Sequence, residues 1–271
     1  MLVNDNGALA LSGASGARAG LVTAEQGSIY IQSIARSDGG VPFVLPSAGP
    51  YPRAPWWKTE ENPASSLLPT VGLAAILHKH AVDHPWVEVA TDFCWRNIDG
   101  LEKTSPYEVM MVLQFLENVD DRARAEESFA RIGPMIHEQG LAELDPQAPG
   151  EIHTPLDFAP SPDSIARPLF DDDIVHGHLD HLAEAQKDDG GWMFNWQTWN
   201  EATTQEWRAI LTIEALMTLR AYGRLDHAHL TRDSQQLGGL PPAALLDWEA
   251  QRVGHPDEPR GPDEATPRTN S

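Results

Sequence analysis

Three acidic residues, two at predicted helix starts and one in a loop, have the clearest chemical potential in this sequence. Glu108 and Glu206 begin two apolar segments, and Asp157 lies in the long loop between them. Carboxylates beside aromatic faces can stabilise a carbocation, and they can also hold a hydrophobic or sugar ligand without any reaction. We therefore predict that Glu108, Asp157 and Glu206 converge on one cleft as catalytic residues. The predicted substrate-binding residues around them are aromatic or carry an imidazole: Trp56, Trp57, Tyr107, His153, Phe158, Phe194, Trp196, Trp199 and Trp207.

The placement of these acids at helix starts predicts that they stay ionised. The amino end of a helix carries partial positive charge, and its free backbone N–H groups donate to carboxylates. A role in stabilising charge or orienting a substrate then follows, rather than a role as proton donor. The alternative is that Glu108 and Glu206 simply occupy first helical turns, where acidic residues are favoured.

A zinc site is the first alternative chemistry that the residue types suggest. Asp92-Phe93-Cys94 and the distant His153 supply the carboxylate, thiolate and imidazole that zinc accepts. However, Cys94 shares the apolar face of a predicted helix with Trp86, and a free cysteine is usually a small buried hydrophobe. We expect a core thiol and predict no metal site, while the cofactor stays undecided.

The remaining clusters of titratable residues have ordinary structural explanations. Asp120 and Asp121, and also residues 171–173, precede predicted helices and are expected to cap them. His78 lies at a helix end, where a cation is favoured. The imidazoles of 176–181 are expected on a solvated helix face.

Two kinds of predicted helix must position these residues. Helices that are apolar on nearly every face should be surrounded by protein, whereas amphipathic helices cover a core on one side. Strand-type alternation is weak, so we predict an all-α fold with inner and outer helices. The apolar segments are 65–80, 105–117 and 204–221, and the amphipathic ones are 86–99, 121–138 and 174–187, with a further helix predicted over 23–36.

Composition excludes several classes of function. The 271 residues carry a formal charge of −21, which repels phosphate backbones, so we expect no nucleic-acid partner. No apolar run reaches the roughly 18 residues of a membrane span. The first twenty residues lack a basic start followed by an apolar stretch, and we expect a cytoplasmic protein. By composition we divide the chain into a flexible leader (1–22), a helical domain (23–224) and a mostly disordered, acidic, proline-rich tail (225–271).

Two similar stretches point to an internal repeat. Asp-Gly-Gly-Val-Pro-Phe at 38–43 and Asp-Gly-Gly-Trp-Met-Phe at 189–194 each follow a predicted helix and lead through an aromatic loop into an apolar helix. Recurrence of such a unit is typical of stacked helical hairpins.

The second copy resembles the Gln-Trp repeat of the terpene cyclase and protein prenyltransferase superfamily, through Gln186, Gly190, Gly191 and Trp192. The resemblance extends over about residues 28–222 and is closest to small actinobacterial proteins loosely termed prenyltransferase-like or squalene-cyclase-like. The similar phrases occur at 62–66, 84–86, 113–116, 155–160 and 206–208.

This resemblance implies an α/α toroid, in which an inner ring of helices lies inside an outer ring. It also implies that Gln186 and Trp192 are structural. The first copy lacks this pair, having Ala35 and Val41 near the equivalent places, and only three apolar inner helices are predicted. An incomplete ring or open crescent is therefore the alternative to a closed toroid, and a homodimer would complete it.

For function, the resemblance implies a terpenoid-cyclase-like or prenyltransferase-like enzyme, an isomerase or transferase acting on a hydrophobic isoprenoid. A class II cyclase would use an Asp-x-Asp-Asp motif, and residues 118–121 match it without the first Asp. A non-catalytic, toroid-derived binding or scaffold protein is the alternative, as is a glycan-active enzyme with paired carboxylates.

Overall fold

The computed structural model describes residues 2–3, 9–10, 24–51, 57–194 and 201–225. The chain divides into two units, Met1–Arg224 and Leu225–Ser271. Nearly all of the second unit, and most of the predicted leader, lie outside the described residues. The predictions of a flexible leader and a disordered tail therefore stay predictions.

The described residues are mainly helical, which confirms the helical class predicted from the sequence. Two short antiparallel strand pairs, β1 with β2 and β3 with β4, accompany the helices. Within the described ranges, every helix is too short or too polar to cross a bilayer. The elements are β1 Leu2–Val3, β2 Leu9–Ala10, α1 Ala24–Ile34, β3 Val41–Pro42, β4 Ser65–Ser66, α2 Leu67–Lys79, α3 Pro85–Asp99, α4 Pro106–Asn118, α5 Arg122–Ile132, α6 Met135–Glu138, α7 Pro155–Phe158, α8 Asp172–Glu184 and α9 Glu201–Ala221.

Proline starts several of these helices. Pro85, Pro106 and Pro155 are the first residues of α3, α4 and α7. Proline suits this position because its fixed φ is helical and its missing N–H would have no partner there. Ser105 completes the start of α4, since its hydroxyl accepts a hydrogen bond from the Glu108 amide at 3.2 Å.

The core of the first unit forms around α2 and α4. These two helices pack against each other, and α2 also packs against α3. Both are buried along most of their length, as the apolar character of the two segments predicts. Further along the chain, α4 contacts α5 and α7, and α8 contacts α7 and α9. Neighbouring helices thus build one continuous core.

The third apolar segment behaves differently. α9 packs against α8, but Ile213 and Met217 on its other side are 58% and 56% exposed. The expectation that protein surrounds this helix is not met in the described structure. Apolar residues on every face show that a helix can be buried, but they do not specify which neighbour covers each face.

The two Asp-Gly-Gly turns have the same internal geometry. In the turn at 38–40, the Asp38 carboxylate accepts a hydrogen bond from the amide of the third residue at 3.1 Å. In the turn at 189–191, the Asp189 carboxylate does the same at 3.1 Å. The middle residues have φ of +92° and +82°, a region that glycine enters without the steric cost of a Cβ.

Each turn is also anchored in the same way to the apolar helix that follows. The Val41 amide donates to the Thr70 hydroxyl of α2 at 2.8 Å, and the Trp192 amide donates to the Thr212 hydroxyl of α9 at 3.1 Å. Both threonine hydroxyls in turn donate to the carbonyl of the residue four positions earlier, Ser66 just before α2 and Arg208 within α9, at 2.7 Å. The repeat seen in the sequence is therefore a repeat of hydrogen bonding.

Candidate functional site

Glu108 lies at the start of α4, as predicted, but its environment differs from the expectation. Its side chain is half-buried, and Oε1 accepts a hydrogen bond from the Thr104 hydroxyl at 3.2 Å. Burial raises the pKa of Glu108, and the Thr104 hydrogen bond only partly opposes that effect. Loss of hydration therefore outweighs the favourable field expected at a helix start.

Asp157 and Glu206 are both exposed. The Asp157 carboxylate accepts hydrogen bonds from the amide and the hydroxyl of Thr154, at 2.6 and 2.9 Å, and so stabilises the start of α7. Across the described part of the chain, no hydrogen bond or ion pair joins any two of Glu108, Asp157 and Glu206. Their convergence on one cleft stays a prediction.

The predicted aromatic residues fall into separate contacts. The rings of Tyr107 and His153 meet edge to face at 4.6 Å, and Trp57 meets Phe43 at 6.3 Å. Phe158 is buried in the core. Of the others, Phe194 and Trp207 are half-buried, while Trp56, Trp196 and Trp199 lie outside the described residues.

Gln186 and Trp192 have structural roles in the second turn. The Trp192 side chain is buried, and its indole N–H donates to the Leu182 carbonyl at 2.8 Å. The Gln186 amide donates to the Gly190 carbonyl at 2.9 Å. In the first hairpin, the indole of Trp86 from α3 donates to the Gly39 carbonyl at 3.1 Å. The first turn is followed by Val41, where the second turn is followed by Trp192. A tryptophan from a neighbouring helix thus supplies the indole hydrogen bond to the first turn.

The other titratable clusters have mixed outcomes. Cys94 is completely buried, and burial raises its thiol pKa, so it is a core thiol rather than a thiolate. Asp121 caps α5, accepting a hydrogen bond from the Arg124 amide at 3.1 Å. His178 does not lie on a solvated face: it is buried, and its Nε2 pairs with the Leu144 carbonyl at 3.2 Å. Among the residues described, no three of the His, Cys, Asp or Glu type are placed to hold a metal ion.

A cleft in the first unit lies elsewhere, between the end of α2, the start of α3 and the link from α4 to α5. It encloses about 580 Å³. Its floor is apolar and consists mainly of Val87, Trp95 and Val119, all buried. We call it the acidic cleft, because five exposed carboxylates line it and none of its described lining residues is Lys or Arg: Asp83, Glu88, Asp92, Asp120 and Asp121.

His78 lies in the wall of the acidic cleft, and its hydrogen bonds define its tautomer. Its Nε2 is 2.8 Å from the Thr91 hydroxyl oxygen. That hydroxyl already donates its only proton to the Val87 carbonyl at 2.7 Å, so it can only accept from the imidazole. Nε2 therefore carries the hydrogen, and Nδ1 of the neutral ring is left as an acceptor.

The charge state of His78 follows from two opposing influences. Burial lowers its pKa, and the negative charge of Asp120 acts in the opposite direction with the smaller effect. The ring packs edge to face on Phe115, with centroids 5.9 Å apart. A cation in the cleft would therefore meet a neutral imidazole beside a carboxylate.

A turn with one strained residue leads from α2 to the lining residues of the acidic cleft that begin at Val82. Ala81 has φ of +48°, and it is the only non-glycine residue with positive φ among those described. The Ala81 and Val82 amides donate to the carbonyls of His78 and Leu77 at 2.9 Å each, which ends α2 in a Schellman motif. Glycine usually fills this position. Strain of this kind often accompanies a functional surface.

The start of α3 forms part of the wall, and an arginine outside the lining stacks on Trp95. His84 caps α3, because its Nδ1 accepts a hydrogen bond from the Trp86 amide at 3.2 Å. On the other side, the Arg124 guanidinium lies 4.5 Å from the centre of the Trp95 ring and pairs with Asp99 at 2.7 Å. Trp95 is thus already in contact with one cation.

Sequence analysis missed the acidic cleft for a specific reason. Its carboxylates and His78 come from the end of α2, the first half of α3 and the links from α2 to α3 and from α4 to α5, and each has an ordinary local explanation as a cap or a solvated residue. The sequence offered one indication of the cleft, which is that His, Asp and Glu are unusually frequent in residues 78–92 and 118–121 taken together.

Comparison with known proteins adds no assignment. No family model matches the chain, and no curated protein or solved structure is significantly similar to it.

Proposed function

We propose that this protein is a helical-hairpin binding protein of the α/α-toroid type, which holds a small hydrophobic cation in the acidic cleft. The observation that carries the proposal is the lining of the cleft. An apolar floor of Val87, Trp95 and Val119 is surrounded by five carboxylates, without Lys or Arg among the described lining residues. An apolar body would bury its surface on the floor, while an ammonium group would be attracted to the rim.

His78 adds a directional element to this ligand. Its Nδ1 can accept a hydrogen bond from an ammonium N–H, as a neutral imidazole does. Asp120 lies close enough to His78 to influence its pKa, so the two groups would act on the same cation. A primary amine with an apolar tail fits this combination better than a quaternary ammonium, which has no N–H to donate.

The architecture part of the proposal rests on the repeated turns. Two helical hairpins close with the same Asp-Gly-Gly geometry and the same threonine anchor. A unit that recurs with its hydrogen bonds supports a repetitive helical fold, as the resemblance to toroid proteins implies.

Binding is favoured over isoprenoid catalysis by the character of the charges. A prenyl diphosphate would meet five carboxylates of like charge in the acidic cleft. A neutral polyene would need a strong acid in a site without water. Asp120, at the place of the middle Asp in the cyclase motif, is exposed. An isoprenoid tail is compatible with the apolar floor, provided that its head group is a cation.

The test compares three ligands that share one ten-carbon isoprenoid tail: geranylamine, geraniol and geranyl diphosphate. We expect geranylamine to bind in calorimetry and to raise the melting temperature, with affinity that falls as salt rises. Geraniol should bind several-fold more weakly, and the diphosphate should not bind. Equal binding of the amine and the alcohol, or preference for the diphosphate, would contradict the proposal.

Matched variants locate the binding site. Asp120→Asn should weaken geranylamine binding by a few-fold to tenfold, because it removes one rim charge. Glu184→Gln, which removes one charge from an exposed position on α8, should leave binding unchanged. Equal effects of the two variants would mean that only net charge matters and that the acidic cleft is not the site.

A further inference from the structure

One face of α9 is apolar and exposed. Ile213 and Met217 are 58% and 56% exposed, Leu216 is 36% exposed, and Ala209 is exposed beside them. The opposite side of the helix is covered, since Ala215, Thr218 and Leu219 are buried. Large exposed apolar groups that follow one helix face are typical of an interaction surface.

Two opposite charges flank this face symmetrically. Glu206 lies seven residues before Ile213, and Arg220 lies seven residues after it. Seven residues make nearly two full turns, so all three side chains lie on the same face. Glu206 and Arg220 are both exposed, and the side chain of neither forms a hydrogen bond or ion pair with another described residue.

We propose that two copies of this chain associate through α9, antiparallel, with the two-fold axis at Ile213. In that arrangement Glu206 of each copy lies beside Arg220 of the other copy, which gives two ion pairs around an apolar centre. Ala209 of one copy then lies opposite Met217 of the other, so that the smallest side chain of the face accommodates the longest. An interface of this kind is self-complementary, as a two-fold axis requires.

Charge complementarity selects the antiparallel arrangement. A parallel pair would place Glu206 beside Glu206 and Arg220 beside Arg220, and like charges in such positions are destabilising. The pairing also supplies the missing neighbour of α9, the predicted inner helix whose second side is exposed. This proposal does not depend on the acidic cleft, because none of the interface residues lines it.

The size of the face predicts a weak dimer. Stable interfaces bury about 800 Å² on each partner, and a single helix face covers less than that. We therefore expect a dissociation constant in the micromolar range, with dimers forming as the concentration rises from about 1 to about 200 µM.

Sedimentation velocity of the full chain over that range is the first test. Ile213→Lys should abolish the dimer while leaving the melting temperature unchanged, because the replaced side chain is exposed. Val89→Lys, at an apolar position of α3 that is 47% exposed, is the matched control and should dimerise normally. A monomer at every concentration, or a dimer that survives Ile213→Lys, would overturn the proposal.

A charge swap tests the register. Glu206→Arg alone and Arg220→Glu alone should each weaken dimerisation about tenfold or more, because each creates two like-charge contacts across the axis. The double variant Glu206→Arg, Arg220→Glu should restore the wild-type affinity. Failure of the double variant to recover would exclude the antiparallel pairing.

Cross-linking gives an independent measurement of direction. The only native cysteine, Cys94, is buried, so introduced thiols can be followed alone. A mixture of the Ala209→Cys and Met217→Cys proteins should form disulfide-linked heterodimers on mild oxidation, whereas each protein alone should not. Efficient homodimers of Ala209→Cys would show a parallel pair and overturn the proposal.

Discussion

At the scale of single residues, Gly39 and Gly190 occupy equivalent places in the two Asp-Gly-Gly turns but have different surroundings. A Cβ on Gly39 would lie 2.4 Å from the Val89 carbonyl oxygen, which belongs to the backbone of α3. A Cβ on Gly190 would meet no atom within 4 Å. The same backbone conformation therefore occurs at Gly39 in close contact with α3 and at Gly190 without a neighbouring atom.

Alanine substitution should separate these two situations. Gly190→Ala should cost about 1–2 kcal/mol, the steric penalty of positive φ alone. Gly39→Ala should cost more than about 3 kcal/mol, because the clash with Val89 adds to that penalty. Urea denaturation measures both changes in the free energy of unfolding. Equal losses for the two variants would show that the contact of Gly39 with α3 does not constrain the turn.

Local chemistry of single residues was predictable from the sequence where neighbours along the chain determine it. The cap at Asp121 follows from its position before α5, and the buried thiol of Cys94 follows from its apolar helix face. The environments of Glu108 and His178 were not predictable, because they come from tertiary packing. Burial raises the pKa of Glu108, and the Leu144 carbonyl reaches His178 from a loop far along the chain.

At the scale of elements, the hydroxyls of Thr70 and Thr212 connect each turn to the following helix. Thr70 is completely buried, whereas Thr212 is half-buried. A buried amide that loses its acceptor keeps the full cost of lost hydration, but a partly exposed amide can turn to water.

Replacement by valine, which keeps the shape and removes the hydroxyl, should destabilise both hairpins. We expect Thr70→Val to cost about 1–3 kcal/mol and Thr212→Val to cost less, measured by thermal or urea denaturation. Thr70→Ser and Thr212→Ser retain the acceptor and are the controls. If serine destabilises the protein in both places and valine does not, packing of the methyl group, rather than the hydroxyl, anchors the turns.

The helices themselves were largely predictable, and their partners only partly so. The patterns of α2 and α4 predict burial on every face, and these helices form the core because each finds neighbours on several sides. α9 has the same kind of pattern without a neighbour on the Ile213 side. The acidic cleft was not predictable, because it is formed by parts of α2 and α3 together with two links, and no single segment contains it.

At the scale of the whole molecule, buried histidines make stability depend on pH. Burial is the main cause that lowers the pKa of His178 below its ordinary value of 6.5, and it does the same for His78. Below about pH 6.5 the unfolded chain takes up protons that the folded chain does not bind as readily. The stability that the neutral imidazoles confer is therefore present above this pH and is lost on acidification.

We expect the free energy of unfolding to fall between about pH 7.5 and about pH 5.5. His178→Gln, which has no titrating ring, should make this fall shallower. His176→Gln, at an exposed position of the same helix, is the control and should retain the wild-type slope. The opposite outcome, a steeper fall for His178→Gln, would mean that His178 is protonated in the folded protein. Glu108 and Glu117 also make stability depend on pH, because burial raises their pKa values. Their contribution is the same in every variant and cancels when the slopes are compared.

The neighbour-to-neighbour packing of the helices has a consequence for how the protein is made. α2 finds its main partners in α3 and α4, which are the next two helices along the chain. A ribosome that has released Asn118 has therefore already supplied the first three-helix core, before α8 and α9 exist. Because the contacts span short stretches of sequence, little chain entropy opposes this early assembly. The nascent chain can fold from its amino end in the order in which it emerges, because each hairpin packs against the one made before it.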